Sequence, residues 1–255
     1  MKKVLAIIGT QTRKATYLAV QEFEKQLKAY QDIDFEYLFL SDYHLEFCQG
    51  CKVCFLRGEE YCPLKDDRNI LVTKMEHADG VIFATPNYVL QVSARMKNFL
   101  DRLAYCYHRP RFFGKAATAI VTQGVFGGGP IVKYLLNAGQ CLGFHTSPGC
   151  SLTTLDPLTQ HQEEALRRKI KKAAASFHRE LLHPAPPPSL FRLLLFRMAR
   201  TGIKHLDESY RDYCYYREKG WFTSPYFYPT SLGPFKTLAG HLFDFLGHRL
   251  AKHMQ

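Results

Sequence analysis

The chain has 255 residues, of which 46% are hydrophobic and 14% aromatic. This composition excludes an intrinsically disordered chain, and the length suffices for one well-buried α/β domain with an extension. No stretch reaches the roughly 20 apolar residues of a membrane span. The apolar run behind Met1-Lys2-Lys3 is too short for a signal peptide. We therefore expect a cytoplasmic protein without a membrane span, in which disulfides rarely persist.

The formal net charge is +11, from 34 Lys and Arg against 23 Asp and Glu. Such a balance is typical of proteins that bind nucleic acid, anionic lipid or phosphorylated ligands. The densest basic run lies at residues 167–172 in a helical pattern, and no nucleic-acid motif accompanies it. We interpret the run as a solvated helix face and predict no nucleic-acid partner.

Strand and helix patterns alternate over the first 180 residues. Strands are predicted at 3–8, 35–40, 80–85 and 116–122, with a weaker fifth strand within 144–154 that Pro148 and Gly149 disturb. Helices are predicted at 14–30, 69–77, 93–105, 130–142 and 159–182. In the first helix the expected buried side chains are Tyr17, Leu18, Val20, Phe23, Leu27 and Tyr30. The alternation predicts an α/β fold with a doubly wound, five-stranded parallel sheet.

The pattern changes after residue 182. Residues 183–188 are rich in proline and predict a stiff connector. We therefore divide the chain into a ligand-binding domain at 1–182 and a C-terminal extension at 183–255. The extension is interpreted as a packing or oligomerisation arm. Contact of the apolar segment 190–198 with a membrane surface is a less favoured alternative.

Ligands of parallel sheets bind at the carboxyl ends of the strands, so the loops after strands one, three and four are the candidate site. In the first loop the hydroxyls of Thr10, Thr12 and Thr16 precede and begin a helix, which suits a phosphate group. The loop contains neither G-x-G-x-x-G nor G-K-[ST]. This excludes a dinucleotide fingerprint and a P-loop.

The other two loops offer surfaces for a flat ligand. After strand three, Pro86 stiffens the strand exit, Asn87 and Tyr88 supply a polar edge and an aromatic wall, and Ser93 can cap the next helix. After strand four, residues 122–130 contain four glycines within six positions, which allow close approach of a ligand to the backbone. A phosphate loop, an aromatic loop and a glycine loop at one sheet edge favour flavin mononucleotide (FMN).

Half of the eight cysteines lie in one short run with the spacing C-x2-C-x2-C-x7-C, formed by Cys48, Cys51, Cys54 and Cys62. Four soft ligands this close suit a four-iron four-sulfur cluster. Structural zinc is a weaker alternative, since zinc sites more often use two separated C-x2-C pairs. A run that binds no metal also stays open.

Several motifs resemble the flavodoxin-like NAD(P)H-dependent FMN reductases, and above all their iron–sulfur flavoprotein branch. The resemblance covers residues 1–180 and rests on the cysteine run continuing to Asp67, on residues 78–88 and on residues 96–102. It implies a flavodoxin-like fold and FMN as cofactor, with a cluster on the four cysteines. It implies flavin-site residues at Thr10, Thr12, Thr16, Pro86, Asn87, Tyr88, Ser93, Thr122, Gly124, Gly127 and Gly128.

The function expected from these observations is an FMN-dependent NAD(P)H oxidoreductase that passes electrons through flavin, with or without a [4Fe-4S] cluster. No catalytic acid or base is predicted, because hydride transfer to a flavin needs none. The alternatives are an electron carrier or redox sensor without NAD(P)H turnover, and a non-redox interaction protein that uses its tail. The expected partners are a small-molecule or protein electron acceptor. The resemblance implies a homodimer or homotetramer.

Overall fold

The computed structural model describes residues 1–183 and 186–253. Within them the strands are β1 Lys2–Ile8, β2 Ile33–Phe39, β3 Gly80–Pro86, β4 Ala116–Gln123, β5 His145–Thr146 and β6 Cys150–Thr153. The α-helices are α1 Ala15–Lys28, α2 Val53–Leu56, α3 Arg68–His77, α4 Ala94–Arg102, α5 Ala104–His108, α6 Gly128–Leu142, α7 Gln160–Leu182, α8 Leu190–Lys204, α9 Arg211–Glu218 and α10 Gly233–His253.

The described residues form two compact units. The sheet unit comprises residues 1–49, 64–104 and 110–183, and the tail unit comprises residues 50–63, 105–109 and 186–253. Of the predicted connector at 183–188, residues 184 and 185 lie outside the described residues. None of the helices described combines the length and the apolar composition that crossing a bilayer requires.

The sheet unit confirms the predicted fold class. All strand pairs are parallel, in the order β2-β1-β3-β4, and both β5 and β6 pair with β4. The last two are segments of one interrupted fifth strand, as Pro148 and Gly149 predict. A Cβ at Gly149 would lie 2.4 Å from the Ala119 carbonyl oxygen, so only glycine can approach β4 this closely. The order is that of flavodoxin-like sheets, which bind ligands beside the first strand at its carboxyl end.

Helices cover both faces of the sheet. On one face α1 packs against α7, where Phe23 meets Phe177 edge to face with ring centroids 5.8 Å apart. On the other face α6 packs against β4, and Phe83 of β3 contacts Phe144 edge to face at 6.2 Å. Strands β1, β3 and β4 are buried almost throughout. Their burial supplies the apolar contacts that fix the loops at the carboxyl ends.

Two side chains predicted to be buried in the first helix are exposed. Leu18 is 59% exposed because it lies two residues from the buried Val20 and therefore on the opposite side of the helix. Tyr30 is 44% exposed because α1 ends at Lys28, and its ring stacks on His178 with centroids 4.9 Å apart.

The tail unit has an aromatic core of its own. Tyr216, Trp221 and Tyr226 are buried, and Phe227 contacts the rings of all three. Helices α8 and α10 pack side by side. The C-terminal extension is therefore mainly helical.

Candidate functional site

The loop between β1 and α1 combines a buried hydroxyl, that of Thr10, with the exposed Thr12 and two exposed cations. The hydroxyls of Thr10 and Thr12 lie 3.2 Å apart, and the Thr12 amide donates to Thr10 Oγ1 at 3.3 Å. Arg13 and Lys14 are exposed, and the first turn of α1 contains no acidic residue and no side-chain cap. The backbone amides of that turn remain available to an anion, in a setting of positive charge.

Three other predicted site residues are buried and tie the loops together. The hydroxyls of Thr16 and Thr122 lie 2.6 Å apart and join α1 to the end of β4. Ser93 accepts from the Met96 amide at 3.2 Å as the cap of α4, and its hydroxyl donates to the Gly9 carbonyl. These hydroxyls therefore hold the three loops in place instead of facing solvent.

The loop after β3 contains a strained turn. Pro86 pairs with Thr122 at the end of the strand. The backbones of Tyr88 and Gln91 then exchange two hydrogen bonds of 2.9 and 3.0 Å around Val89 and Leu90. These central residues have φ of 50° and 62°, in the left-handed region that Asn and Gly adopt in such turns. Each costs on the order of 1–3 kcal/mol, a strain that clusters at ligand sites.

The glycine loop after β4 contacts the loop after β3. The side-chain Nδ2 of Asn87 donates to the Phe126 carbonyl at 2.8 Å. The backbone N–H of Asn87 donates to the Thr122 carbonyl at 2.7 Å. Gly127 has φ of 94°, and a Cβ there would lie 2.5 Å from the side chain of Leu90. The positive φ favours glycine at this position.

The side chain of Gln123 organises the glycine loop, and the sequence analysis did not single it out. Its Oε1 accepts from the Gly128 amide at 2.5 Å, and its Nε2 donates to Thr153 Oγ1 at 3.2 Å. A Cβ on Gly128 would lie 2.6 Å from that Oε1, whereas Gly124 has open space around it. The position of Gln123, a polar residue between a buried strand and a run of glycines, could have indicated this role in the sequence.

The edge formed by these loops has the features that a flavin would satisfy. Asn87 Oδ1 is buried and has no hydrogen-bond partner among the described residues. Beside it, the two loops expose apolar side chains, namely Tyr88, Val89, Leu90, Val125 and Phe126. A ligand with an N–H donor and a flat apolar face would pair the oxygen and cover these side chains. The isoalloxazine ring of FMN has both an N–H donor and a flat apolar face. The loop between β1 and α1, with its threonine hydroxyls, suits the phosphate of FMN.

A buried ion pair fixes the ends of the segment that carries the cysteines. Arg102 donates to both carboxylate oxygens of Asp66 at 2.8–3.1 Å, and both side chains are almost fully buried. Asp66 also accepts from the amides of Glu46 and Arg68. Burial alone raises the pKa of Asp66, but these hydrogen bonds and the Arg102 charge outweigh it, so the pKa lies below its ordinary value.

The four cysteines of the run do not form a metal site as the structure places them. Cys48 belongs to the sheet unit and is exposed. In the tail unit Cys51 is exposed, Cys54 half-buried and Cys62 buried. Among residues 1–183 and 186–253, no group of three or more His, Cys, Asp or Glu side chains is placed to hold a metal ion. Thiol side chains are by their chemistry suitable ligands of an iron–sulfur cluster.

Within the tail unit a buried arginine holds the cysteine segment. Arg109 is fully buried and donates to the Cys54 carbonyl at 2.9 Å and to Glu59 at 2.7 Å. The Nη1 of Arg109 donates to Asp212 at the start of α9. The Nδ1 of His108 lies 2.6 Å from the same carboxylate. The C-terminal extension thus supplies the counter-charge that positions this segment.

Sequence comparison identifies the family of the chain. The family model of the NADPH-dependent FMN reductases matches residues 2–154, more than half of the chain. An iron-sulfur flavoprotein of Archaeoglobus fulgidus is 29% identical over 231 residues, which are 86% of this chain and 99% of that protein. The resemblance described from the motifs is thereby confirmed.

Solved structures show the same fold. The NAD(P)H:quinone oxidoreductase of Methanothermobacter marburgensis superposes with a TM-score of 0.56 at 17% identity, over 72% of this chain and 99% of that one. RosB with bound 8-demethyl-8-formylriboflavin-5′-phosphate gives a TM-score of 0.57 at 16% identity, over 71% and 79% of the two chains.

Proposed function

The chain belongs to the NADPH-dependent FMN reductase family, and we propose that it binds FMN at the edge formed by the loops after β1, β3 and β4. We propose further that it takes electrons from NADH or NADPH and passes them to an acceptor. The observation that carries the proposal is the buried, unpaired Asn87 Oδ1 among exposed apolar side chains of two loops that are hydrogen-bonded to each other.

The phosphate of FMN would bind at the loop between β1 and α1. Thr10 and Thr12 would donate from their hydroxyls, the first turn of α1 from its amides, and Arg13 and Lys14 would add charge. Thr16 would act through its hydroxyl pair with Thr122, which holds that turn on the sheet.

The ring would lie against the loops after β3 and β4. Tyr88 and the glycine loop would cover its faces, and Asn87 would hold its polar edge. Bound FMN would supply the hydride-accepting and electron-transfer chemistry. The chain's residues bind the ring, fix its orientation and exclude water from one side. No side chain is assigned a proton-transfer role.

A four-iron four-sulfur cluster on Cys48, Cys51, Cys54 and Cys62 is a second proposal. The spacing of the thiols and the name of the Archaeoglobus relative support it. No electron path through such a cluster is proposed. Iron and sulfide measured per chain after anaerobic purification test this proposal apart from the flavin. The inferred homodimer or homotetramer would appear in light scattering.

Anaerobic reduction tests the proposed function. The protein with bound FMN is mixed with NADPH or NADH, and the flavin absorbance is followed. Bleaching with either nicotinamide is the expected result. A flavin that stays oxidised with both but is reduced by ferredoxin would instead identify an electron carrier. A protein that takes up no FMN would overturn the whole proposal.

A further inference from the structure

Helix α10 of the tail unit carries an apolar surface that is exposed in the described part of the chain. Six large side chains on it are between 41% and 72% exposed, namely Phe235, Leu238, Leu242, Phe245, Leu246 and Leu250. At about 100° per residue they fall within one sector of about 140°, which we name the α10 stripe. A continuous exposed apolar surface of this kind marks an interaction site.

The opposite side of α10 packs against α8. A Cβ at Gly240 would lie 3.1 Å from the guanidinium of Arg197, and a Cβ at Gly247 would lie 3.0 Å from Thr201. These two glycines let the helices approach closely, and they lie about half a turn from the stripe. The stripe therefore faces away from α8, and α8 does not cover it.

The charges on the two helices are almost all positive. Together α8 and α10 contain seven Lys and Arg against one acidic residue, Asp244. Arg197 and Arg200 donate to Asp244 at 2.7 and 2.6 Å, so its charge is neutralised inside the helix pair. Lys204 and Arg249 are exposed, and the Arg249 guanidinium lies 5.6 Å from the ring centroid of Phe245 in the stripe.

We propose that the α10 stripe binds the surface of a lipid bilayer that contains anionic lipids, with α10 lying in the plane of the interface. An apolar stripe that contains an exposed arginine, on a pair of helices with an excess of positive charge, can bury hydrocarbon while it places positive charge at anionic headgroups. Arg249 can extend from the stripe to the headgroups along its own apolar stem. A second copy of the chain fits less well, because the same excess of positive charge would lie on both sides of the contact.

Vesicle sedimentation of the full chain with bound FMN tests the proposal. The protein should sediment with mixed vesicles of phosphatidylcholine and phosphatidylglycerol and stay in solution with phosphatidylcholine alone. Raising the salt to about 0.5 M should weaken the binding, because the electrostatic part is screened. The variant Leu238→Ser/Phe245→Ser should lower the partition coefficient at least about tenfold.

Matched variants distinguish vesicle binding by the α10 stripe from binding by exposed apolar side chains elsewhere in the protein. Leu18→Ser/Ile70→Ser removes two exposed apolar side chains from the sheet unit and should bind vesicles like the wild type. Lys204→Glu/Arg249→Glu keeps the six apolar side chains of the stripe and should reduce the preference for anionic vesicles at least about tenfold, which covers the case that the serine variant fails to fold.

Several results would overturn the proposal. One is a wild-type protein that stays in solution with the mixed vesicles at low salt. Another is equal binding to both kinds of vesicle. A dimer that the stripe variant converts to monomer in analytical ultracentrifugation, without vesicle binding by the wild type, would assign the stripe to a second copy.

Discussion

The proposed flavin edge of the sheet unit and the cysteine segment of the tail unit both join residues far apart in sequence, but different interactions hold them. At the flavin edge, backbone groups and neutral side chains such as Thr16, Asn87 and Ser93 connect three loops and leave one buried oxygen without a partner. In the cysteine segment, the charged side chain of Arg109 binds two carboxylates and the Cys54 carbonyl. We propose the first region as a ligand site, whereas in the second an ion-pair network fixes the position of the segment.

The largest expected effect comes from removing the charge that holds the cysteine segment. Arg109→Met leaves the carboxylate of Asp212 buried without its main counter-charge, which should destabilise the fold by about 3–5 kcal/mol. Urea unfolding measures this loss, and alkylation of Cys54 should become faster. Arg217→Met, at an exposed cation, is the control and should change stability by less than about 0.5 kcal/mol. A loss below about 1 kcal/mol in the Arg109 variant would contradict the assignment.

A smaller loss is expected at the ion pair that fixes the ends of the segment. Asp66→Asn removes the carboxylate charge that Arg102 pairs with in the interior and should cost about 3 kcal/mol at pH 7. Because the folded pKa of Asp66 is depressed, its contribution is present above about pH 4 and is lost as the pH falls through the folded pKa. The difference between wild type and variant should therefore shrink in acid. Asp34→Asn, on the exposed side of β2, serves as control, and a pH-independent difference would refute this account.

The smallest expected effect on the free energy of unfolding is a gain in stability, at the proposed flavin edge. Val89→Asn/Leu90→Gly gives the turn residues that adopt positive φ readily, and it should stabilise the FMN-free protein by about 1–2 kcal/mol. The same change removes two exposed apolar side chains and should weaken FMN binding. Thermal unfolding and FMN titration measure the two effects. A variant that gains no stability would mean that the turn is not strained in solution.

Local patterns predicted most of the sheet unit, including the fifth strand interrupted at Pro148 and Gly149. They failed where distant residues decide the structure. Arg109 and Asp212 lie 103 residues apart, and neither belongs to a motif that links them. The Val89–Leu90 turn has positive φ at both central residues although its sequence lacks the Asn-Gly pair that predicts such a turn. The flavin-site residues stay predictions, since the protein alone supplies no ligand contact.

Titration of FMN into the FMN-free full chain tests the central claim most directly. The wild type should bind one FMN per chain. Asn87→Ala should bind it about tenfold more weakly, because the ring loses a hydrogen bond worth about 1 kcal/mol and the loop loses its contact with Phe126. Asn137→Ala, at an exposed position of α6, should bind like the wild type. Equal affinity of the Asn87 variant and the wild type, or no FMN uptake by either, would contradict the claim.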